Sequence, residues 1–191
     1  MTLFNFLDEC TVMMVKNAPT QWFRDAPGEI RFVGKYKNET SVYIIGTISR
    51  RGPSIIVLFN GHLNQHGFQG LCAEFLIPFV REIYPDYHRI HLDNATHHVA
   101  QTTANYFSNN NLNRFLTPAQ SPDLNPVELV WNDLKNYLGR NIKPNTAEEL
   151  VAGIIKFWEN EVTVEYCNKK IDHLMKVIPK VLLCNGKATG L

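Results

Sequence analysis

The order of apolar and polar positions predicts strands mainly in the first part of the chain. Five short stretches, rich in β-branched and aromatic residues or continuously apolar, are predicted strands: 3–8, 42–49, 54–59, 88–93 and 112–117. The sequence Arg-Arg-Gly-Pro at 50–53 is typical of a turn. The second and third strands are therefore expected to form a hairpin.

Apolar residues recur at helical spacing between the later strands and toward the end of the chain. The predicted helices cover roughly 68–83, 99–108, 126–138, 146–158 and 163–178. Three strands followed by helix, strand, helix, strand and helices indicate an α/β protein with a mixed sheet, which is the element order of a ribonuclease-H-like fold. We expect a mixed five-stranded sheet flanked by helices in a domain of residues 1–160. A C-terminal helical tail, 161–191, is expected to pack on the same domain.

Composition and charge exclude several classes of protein. Of the 191 residues, 45% are hydrophobic and 19% are charged, which is typical of a globular chain and not of a disordered or membrane protein. Lysine and arginine number 19 against 18 acidic residues, so a strongly basic nucleic-acid arm is excluded while a local basic surface is not. The four cysteines form no Cys-x-x-Cys pair, which favours a reducing compartment. The start of the chain lacks a positively charged leader, so secretion is not expected.

Three acidic residues occupy positions where catalytic carboxylates could meet. Asp8 is expected at the end of the first strand, Asp93 at the end of the fourth, and Glu128 in the first turn of a helix. If the first and fourth strands are neighbours, the three carboxylates come together and repel one another. Hard divalent cations prefer oxygen ligands and would relieve this repulsion. Two such ions about 3.5–4 Å apart can stabilise both oxygens of a phosphoryl displacement.

A structural interpretation of the same residues is also open. An aspartate at the end of a strand is a common turn residue. The sequence Asn-Pro-Val-Glu at 125–128 is a good helix start on its own, with Asn125 as the capping residue and Pro126 at the first helical position. Composition and pattern alone do not decide between a metal site and ordinary caps.

Two longer segments resemble a known family. The sequences Ile-His-Leu-Asp-Asn-Ala-Thr-His-His at 90–98 and Ser-Pro-Asp-Leu-Asn-Pro-Val-Glu-Leu-Val-Trp at 121–131 are similar to the catalytic core of mariner-type transposases. The 34 residues between Asp93 and Glu128 match the spacing of that superfamily, and Phe-Leu-Asp-Glu at 6–9 resembles its first catalytic strand. The resemblance covers nearly the whole chain.

The resemblance implies a metal-dependent DNA endonuclease and strand transferase that cuts transposon ends and joins them to target DNA. Asp8, Asp93 and Glu128 would be the catalytic residues and would hold two Mg²⁺ or Mn²⁺ ions. The expected partners are transposon-end and target DNA, with a homodimer left open and with no membrane and no small-molecule substrate. The expected location is the nucleus for a eukaryotic element and the cytoplasm for a bacterial one.

Further residues are assigned supporting positions. By the resemblance, Asn94, His98 and Asn125 would lie beside the metal ligands or near DNA. Asp123 is a second candidate for the third acid, but only 29 residues separate it from Asp93. Four basic side chains around the first hairpin are candidates for contact with the DNA backbone, although an ordinary solvated surface accounts for them equally well; they are Arg31, Lys35, Arg50 and Arg51.

Two departures from the family pattern bear on the function. Thr96 stands where the family usually has proline, and the chain begins seven residues before Asp8, without the family's amino-terminal helix-turn-helix modules. We therefore expect an isolated catalytic core. The alternative is a catalytically silent, domesticated transposase domain that acts as a DNA- or protein-binding module. A retroviral-type integrase core would share the three acids but would not be expected to carry Ser-Pro-Asp-Leu-Asn-Pro.

Overall fold

A mixed β-sheet lies at the centre of the molecule. The computed structural model describes residues 3–14, 40–59, 61, 63–117 and 121–184. The strands are β1 (Phe4–Met13), β2 (Ser41–Ser49), β3 (Gly52–Pro53), β4 (Val57–Phe59), β5 (Arg89–Leu92) and β6 (Arg114–Leu116). They follow the order β3-β2-β1-β5-β6, and β4 also pairs with β2. β1 runs antiparallel to β2 and parallel to β5, which in turn is parallel to β6.

Helices flank this sheet. They are α1 (Gln65–Leu71), α2 (Ile77–Ile83), α3 (Thr96–Val99), α4 (Gln101–Asn109), α5 (Val127–Tyr137), α6 (Ala147–Glu161), α7 (Val164–Asp172) and α8 (Leu174–Leu183). A π-helical turn joins α1 to α2 just before Pro78, and a second one follows α5. The predicted mixed sheet with flanking helices is confirmed. No helix among the described residues is both long and apolar enough to cross a membrane.

The structure differs from the sequence-based expectation in three places. The sheet has six strands instead of five, because the short β3 pairs with the end of β2. The first strand continues to Met13, since it pairs with β2 along its length, so Asp8 lies within β1 and not at its end. The last predicted helix is divided at His173 into α7 and α8.

The two faces of the sheet carry separate apolar clusters. Phe6, Cys10 and Val12 of β1 face one cluster, to which α5 and α6 contribute. Leu7 faces the other cluster, together with side chains of α1, α2 and α4. Because neighbouring residues of a strand point to opposite faces, β1 sends alternate side chains into both helix layers. Its polar residues are divided between the two faces in the same way.

The C-terminal helices extend the first of these clusters. Cys167 and Ile171 of α7 and Leu174 of α8 are buried in it. The described part of the predicted tail thus packs against the same core as β1 and α5. The boundary at residue 160 stays a prediction.

Gly46 gives a test of this packing. A Cβ atom at this position of β2 would lie 2.9 Å from Cη2 of Trp158 and 3.3 Å from Cη2 of Trp131. The two indoles are stacked, and Trp158 Nε1 donates to the Ser54 carbonyl at 2.8 Å, so the rings cannot move aside freely. We expect Gly46→Ala to reduce the free energy of unfolding by about 1–3 kcal/mol, measured by urea denaturation.

Gly70 of α1 provides the matched control. Nothing lies within 4 Å of the position that its Cβ would occupy. Gly70→Ala is therefore expected to raise the free energy of unfolding by up to about 1 kcal/mol through helix propensity. Equal stability of Gly46→Ala and the unmodified protein would contradict the packing described for the two tryptophans.

Candidate active site

Asp8 presents a buried carboxyl group on the α5 side of the sheet. It lies opposite Gly46 in the β1–β2 register, and only 6% of the residue is exposed. Its Oδ2 atom is buried and accepts no hydrogen bond from the described residues. A buried, unpartnered carboxylate oxygen is costly unless a cation or a proton neutralises it.

Other carboxylates add to the cost of charging Asp8. Burial is the largest factor that raises the pKa of Asp8 well above its usual value. The negative charge of Glu128 is the next factor, followed by those of Glu9 and Asp93. Asp8 is thus the residue at which the negative charges of the predicted site act together.

Asp93 follows directly after β5, the parallel neighbour of β1. Phe6 and His91 are paired across these strands, so Asp8 and Asp93 each lie two residues beyond the same paired position. The Asp93 side chain is 50% exposed, and its Oδ1 accepts from the backbone N–H of Ala95 at 2.9 Å. The same Oδ1 lies 2.6 Å from Nδ1 of His98. The hydrogen bond with His98 is the main cause that lowers the pKa of Asp93.

Glu128 reaches the site from the first turn of α5. The buried face of this helix, which includes Val127 and Trp131, packs on the β1 side of the sheet. Pro126, immediately before the helix, has φ −66°, a value already suited to helix entry. Glu128 is exposed, and its charge raises the pKa of Asp8. The fold therefore directs all three predicted acids to one region of the protein.

A hydrogen-bonded group on the opposite face of β1 joins this region. Nε2 of His98 lies 3.1 Å from Oε1 of Glu9, and Nε2 of His97 lies 3.2 Å from the same oxygen. Among the described residues these are the only three with potential ligand atoms all within 4.8 Å of one another. At least one pair of ligand oxygens in the predicted acid triad is therefore farther apart than that.

His98 is the most strongly perturbed member of this group. Burial disfavours its charged form, but the hydrogen bonds to Asp93 and Glu9 outweigh burial and raise its pKa to about 9. For Glu9, burial raises the pKa, but the bonds to His97 and His98 outweigh it, so that the net pKa is lowered. His98 is consequently an imidazolium between two carboxylates at neutral pH.

The remaining predicted residues differ in how they are used. Asn94 lies beside Asp93 and donates from Nδ2 to the Thr117 carbonyl at 2.8 Å, which ties the loop after β5 to the end of β6. Asn125 does not cap α5 with its side chain, contrary to the prediction, because the residue next to the helix is Pro126 and no side-chain cap bond is made. Instead, the Asn125 carbonyl accepts from the Glu128 N–H at 3.1 Å.

Asn125 and Asp123 line a small cleft beside Glu128. The cleft has a volume of about 140 Å³ and is closed on its other side by His173, Leu174 and Val177. Asn125 is buried, and its Oδ1 accepts no hydrogen bond within the described residues. Both predicted residues are thus neighbours of Glu128 in the fold.

The predicted DNA-backbone residues are only partly within the described chain. Arg31 and Lys35 lie outside the described residues. Arg50 pairs with Asp172 at 2.6 Å and bonds Asn168 of α7. The contact of Arg50 with DNA stays a prediction, and in the structure its guanidinium ties the β2–β3 turn to α7.

Arg51 is also held within the chain. Its guanidinium lies 4.5 Å from the centre of the Tyr84 ring and donates to the Ile83 carbonyl. Its contact with DNA likewise stays a prediction.

Sequence reasoning missed Glu9 and His97. The period of two along β1 could have placed Glu9 on the face opposite Asp8. Its partners, 88 and 89 residues later in the chain, could not be read from any local pattern.

Comparison with known sequences gives a family match and several relatives. Residues 4–151 match the family model described as DDE superfamily endonuclease. The Tc3 transposase of Caenorhabditis elegans is 29% identical over 121 residues, which are 63% of this chain and 37% of that protein. The Tcb1 transposase of Caenorhabditis briggsae is 24% identical over 159 residues, 80% of this chain and 58% of that protein. The chain thus spans 37% and 58% of the length of these two relatives.

Comparison with solved structures identifies the fold. A Mos1 transposase paired-end complex with the left transposon end matches with a TM-score of 0.79 at 18% identity, over 98% of this chain and 56% of that chain. The catalytic domain of the Mos1 mariner transposase matches with a TM-score of 0.74 at 16% identity, over 98% of this chain and 84% of that chain. This likeness confirms the predicted ribonuclease-H-like fold.

Proposed function

The chain belongs to the DDE superfamily endonuclease family, and from this premise we propose that it is the catalytic core of a mariner-type transposase. The observation that carries the proposal is the buried Asp8 carboxyl, whose Oδ2 has no hydrogen-bond partner in the described chain. Its pKa is raised by burial and then by Glu128. A fold gains no stability from such a group, whereas a metal-dependent enzyme requires it.

The donor set suits hard divalent cations. Asp8, Asp93 and Glu128 offer only carboxylate oxygens, the ligands that Mg²⁺ and Mn²⁺ prefer. The spacing of the three acids, with at least one pair of oxygens more than 4.8 Å apart, supports two ions about 3.5–4 Å apart better than one. We assign the three residues as ligands of two Mg²⁺ or Mn²⁺ ions.

The reaction is a sequence of two phosphoryl transfers. When bound, the ions activate the attacking oxygen and stabilise the leaving oxygen. In the first step water attacks the phosphorus, and the bond to the 3′ oxygen breaks to give a 3′-hydroxyl and a 5′-phosphate. In the second step that 3′-hydroxyl attacks a phosphorus of target DNA and displaces the target's 3′ oxygen. Neither step requires a covalent bond between protein and DNA.

The substrates follow from the same assignment. The relatives are named as transposases of transposable elements, and one structural neighbour is a complex with a transposon end. We propose that this chain acts on the DNA of transposon ends and of a target, as a homodimer, in the nucleus of a eukaryotic host or the cytoplasm of a bacterial one. The catalytic domain would occupy residues 1–160, with the helical tail 161–191 packed on it.

Metal dependence tests the proposal directly. The purified chain, titrated with Mn²⁺ by calorimetry, is expected to bind two ions. With Mn²⁺ or Mg²⁺ it is expected to nick supercoiled plasmid, and EDTA should reduce nicking to the level without protein, because the carboxylates alone supply no electrophile. Addition of excess Mn²⁺ after EDTA should restore nicking.

A catalytically silent binding module predicts the opposite result. It would shift the plasmid in a gel without nicking it and would bind Mn²⁺ no more tightly than an exposed carboxylate does. Intact plasmid together with absent metal binding at millimolar Mn²⁺ would reject the enzymatic assignment. Nicking that persists in EDTA would reject the metal.

A further inference from the structure

The side chain of Glu9 faces away from Asp8 although the two residues are adjacent. Glu9 pairs in register with Ile45, which lies in the apolar cluster of α1 and α2, whereas Asp8 faces the α5 side. The Glu9 side chain is only 18% exposed, and its Oε1 is the shared partner of His97 and His98. A carboxylate placed there serves the two imidazoles and lies behind the three acids.

His98 connects Glu9 to Asp93 through both of its ring nitrogens. Nε2 lies 3.1 Å from Glu9, and Nδ1 lies 2.6 Å from Asp93. The imidazole is completely buried, and its centre is 4.6 Å from that of the Phe68 ring. Rotation of the ring would break both hydrogen bonds and disturb this packing. The ring of His98 is therefore held in one orientation.

The fixed imidazole in turn holds Asp93. Asp93 lies just beyond the end of β5, where the backbone alone constrains a half-exposed side chain weakly. Its Oδ1 takes both hydrogen bonds, from His98 and from the backbone of Ala95, while Oδ2 receives none from the described residues. The contacts thus select one side-chain orientation and leave one oxygen available.

We propose that Glu9 is a positioning residue for Asp93, acting through His98. This inference rests on the proposed function, because the orientation of Asp93 matters only if Asp93 is a ligand. Partners that orient a metal ligand typically affect metal affinity or activity by about 10–100-fold. His97 shares Glu9 but makes no contact with Asp93, so it lies outside this chain of contacts.

The experiment compares Mn²⁺ affinity of the full chain and its variants by calorimetry. Glu9→Ala is expected to weaken Mn²⁺ binding by about 10-fold or more. Glu9→Gln, whose amide oxygen still accepts from the imidazole, should lose less, and His97→Gln should stay close to the unmodified protein. If Glu9→Ala does not unfold cooperatively, Glu9→Met takes its place, because it fills the same space and accepts no hydrogen bond.

Two further measurements separate positioning from other roles. Because Glu9 acts through His98, the double variant Glu9→Ala/His98→Ala should bind Mn²⁺ no more weakly than His98→Ala alone. In metal-free protein, the imidazole ¹⁵N resonances of His98 should move in Glu9→Ala and not in His97→Gln. The resonances test the contacts even if the unmodified protein binds no Mn²⁺, a result that would refute the proposed function by itself.

Three results would overturn the inference. One is an unchanged Mn²⁺ affinity in a folded Glu9→Ala. Another is additive losses from the Glu9 and His98 substitutions. The third is a loss in His97→Gln as large as in Glu9→Ala, since that would point to an ion held by Glu9, His97 and His98 themselves.

Discussion

Replacing Asp93 with asparagine is expected to lower metal-dependent nicking by at least about 100-fold, because ions at such sites supply several kcal/mol of stabilisation and each 1.36 kcal/mol is a factor of about ten. Asparagine has nearly the same shape, and its Oδ1 can keep the bond from the Ala95 N–H. What it lacks is the negative charge of a ligand. The measurement is the initial rate of plasmid nicking at saturating Mn²⁺, alongside the thermal unfolding curve.

The fold should survive this substitution. The Asp93 side chain is half exposed and belongs to neither apolar cluster, so cooperative unfolding is expected to persist. Glu159→Gln on the exposed side of α6 is the matched charge-removing control and should keep the nicking rate. Full activity of a folded Asp93→Asn would refute the assignment of Asp93 as a catalytic ligand.

The same assay decides which acid is the third ligand. Glu128 raises the pKa of Asp8, whereas Asp123 does not figure among the charges that do so. Glu128→Gln should therefore match the loss seen with Asp93→Asn, and Asp123→Asn should lose less. The reverse order would transfer the role to Asp123.

The fold was largely predictable because its signals are local. The turn at 50–53, the short apolar stretch that becomes β5 and the proline before α5 each determine a local element without reference to distant residues. The strand neighbours could be anticipated from element order. The length of β1 could not, because Glu9 and Thr11 interrupt its apolar pattern. Pairing with β2 extends the strand past them.

The parts of the site that escaped prediction depend on contacts distant in sequence. Asp93 and Glu128 were recognised from short segments with family-like spacing. The bond from His98 to Glu9 spans 89 residues, and the pairing of Arg50 with Asp172 spans 122. Such contacts form only after the sheet and helices have packed, so neither composition nor periodicity contains them.

The buried carboxyl of Asp8 leads to a second expected result, a stability that depends on metal and pH in opposite ways. The folded-state pKa of Asp8 is raised above the unfolded value, so the folded protein favours the protonated acid. Its contribution to stability is therefore complete at pH below the unfolded pKa, about 3.9. It is lost progressively as pH rises to the folded pKa and does not return above it.

An asparagine side chain in place of Asp8 is neutral at every pH and avoids this loss of stability. In EDTA, Asp8→Asn is expected to match the unmodified protein near pH 4 and to melt at a higher temperature at about pH 8, because each unit of raised pKa corresponds to about 1.4 kcal/mol. For a chain of this size, each kcal/mol shifts the melting temperature by about 2–4 °C. Thermal unfolding by circular dichroism across this pH range measures the difference.

Mn²⁺ should reverse the order of the two proteins. An ion that binds only the folded state stabilises it by about 2.7 kcal/mol at about 100 times its dissociation constant, a gain that Asp8→Asn should largely lack. Asp133→Asn is the matched control, since it removes a carboxylate that pairs with Lys170 at 2.5 Å. It should lower the melting temperature equally in EDTA and Mn²⁺. If Asp8→Asn melts below the unmodified protein in EDTA at the alkaline end of the range, the Asp8 carboxylate is stabilised by the protein itself and is not waiting for a metal ion.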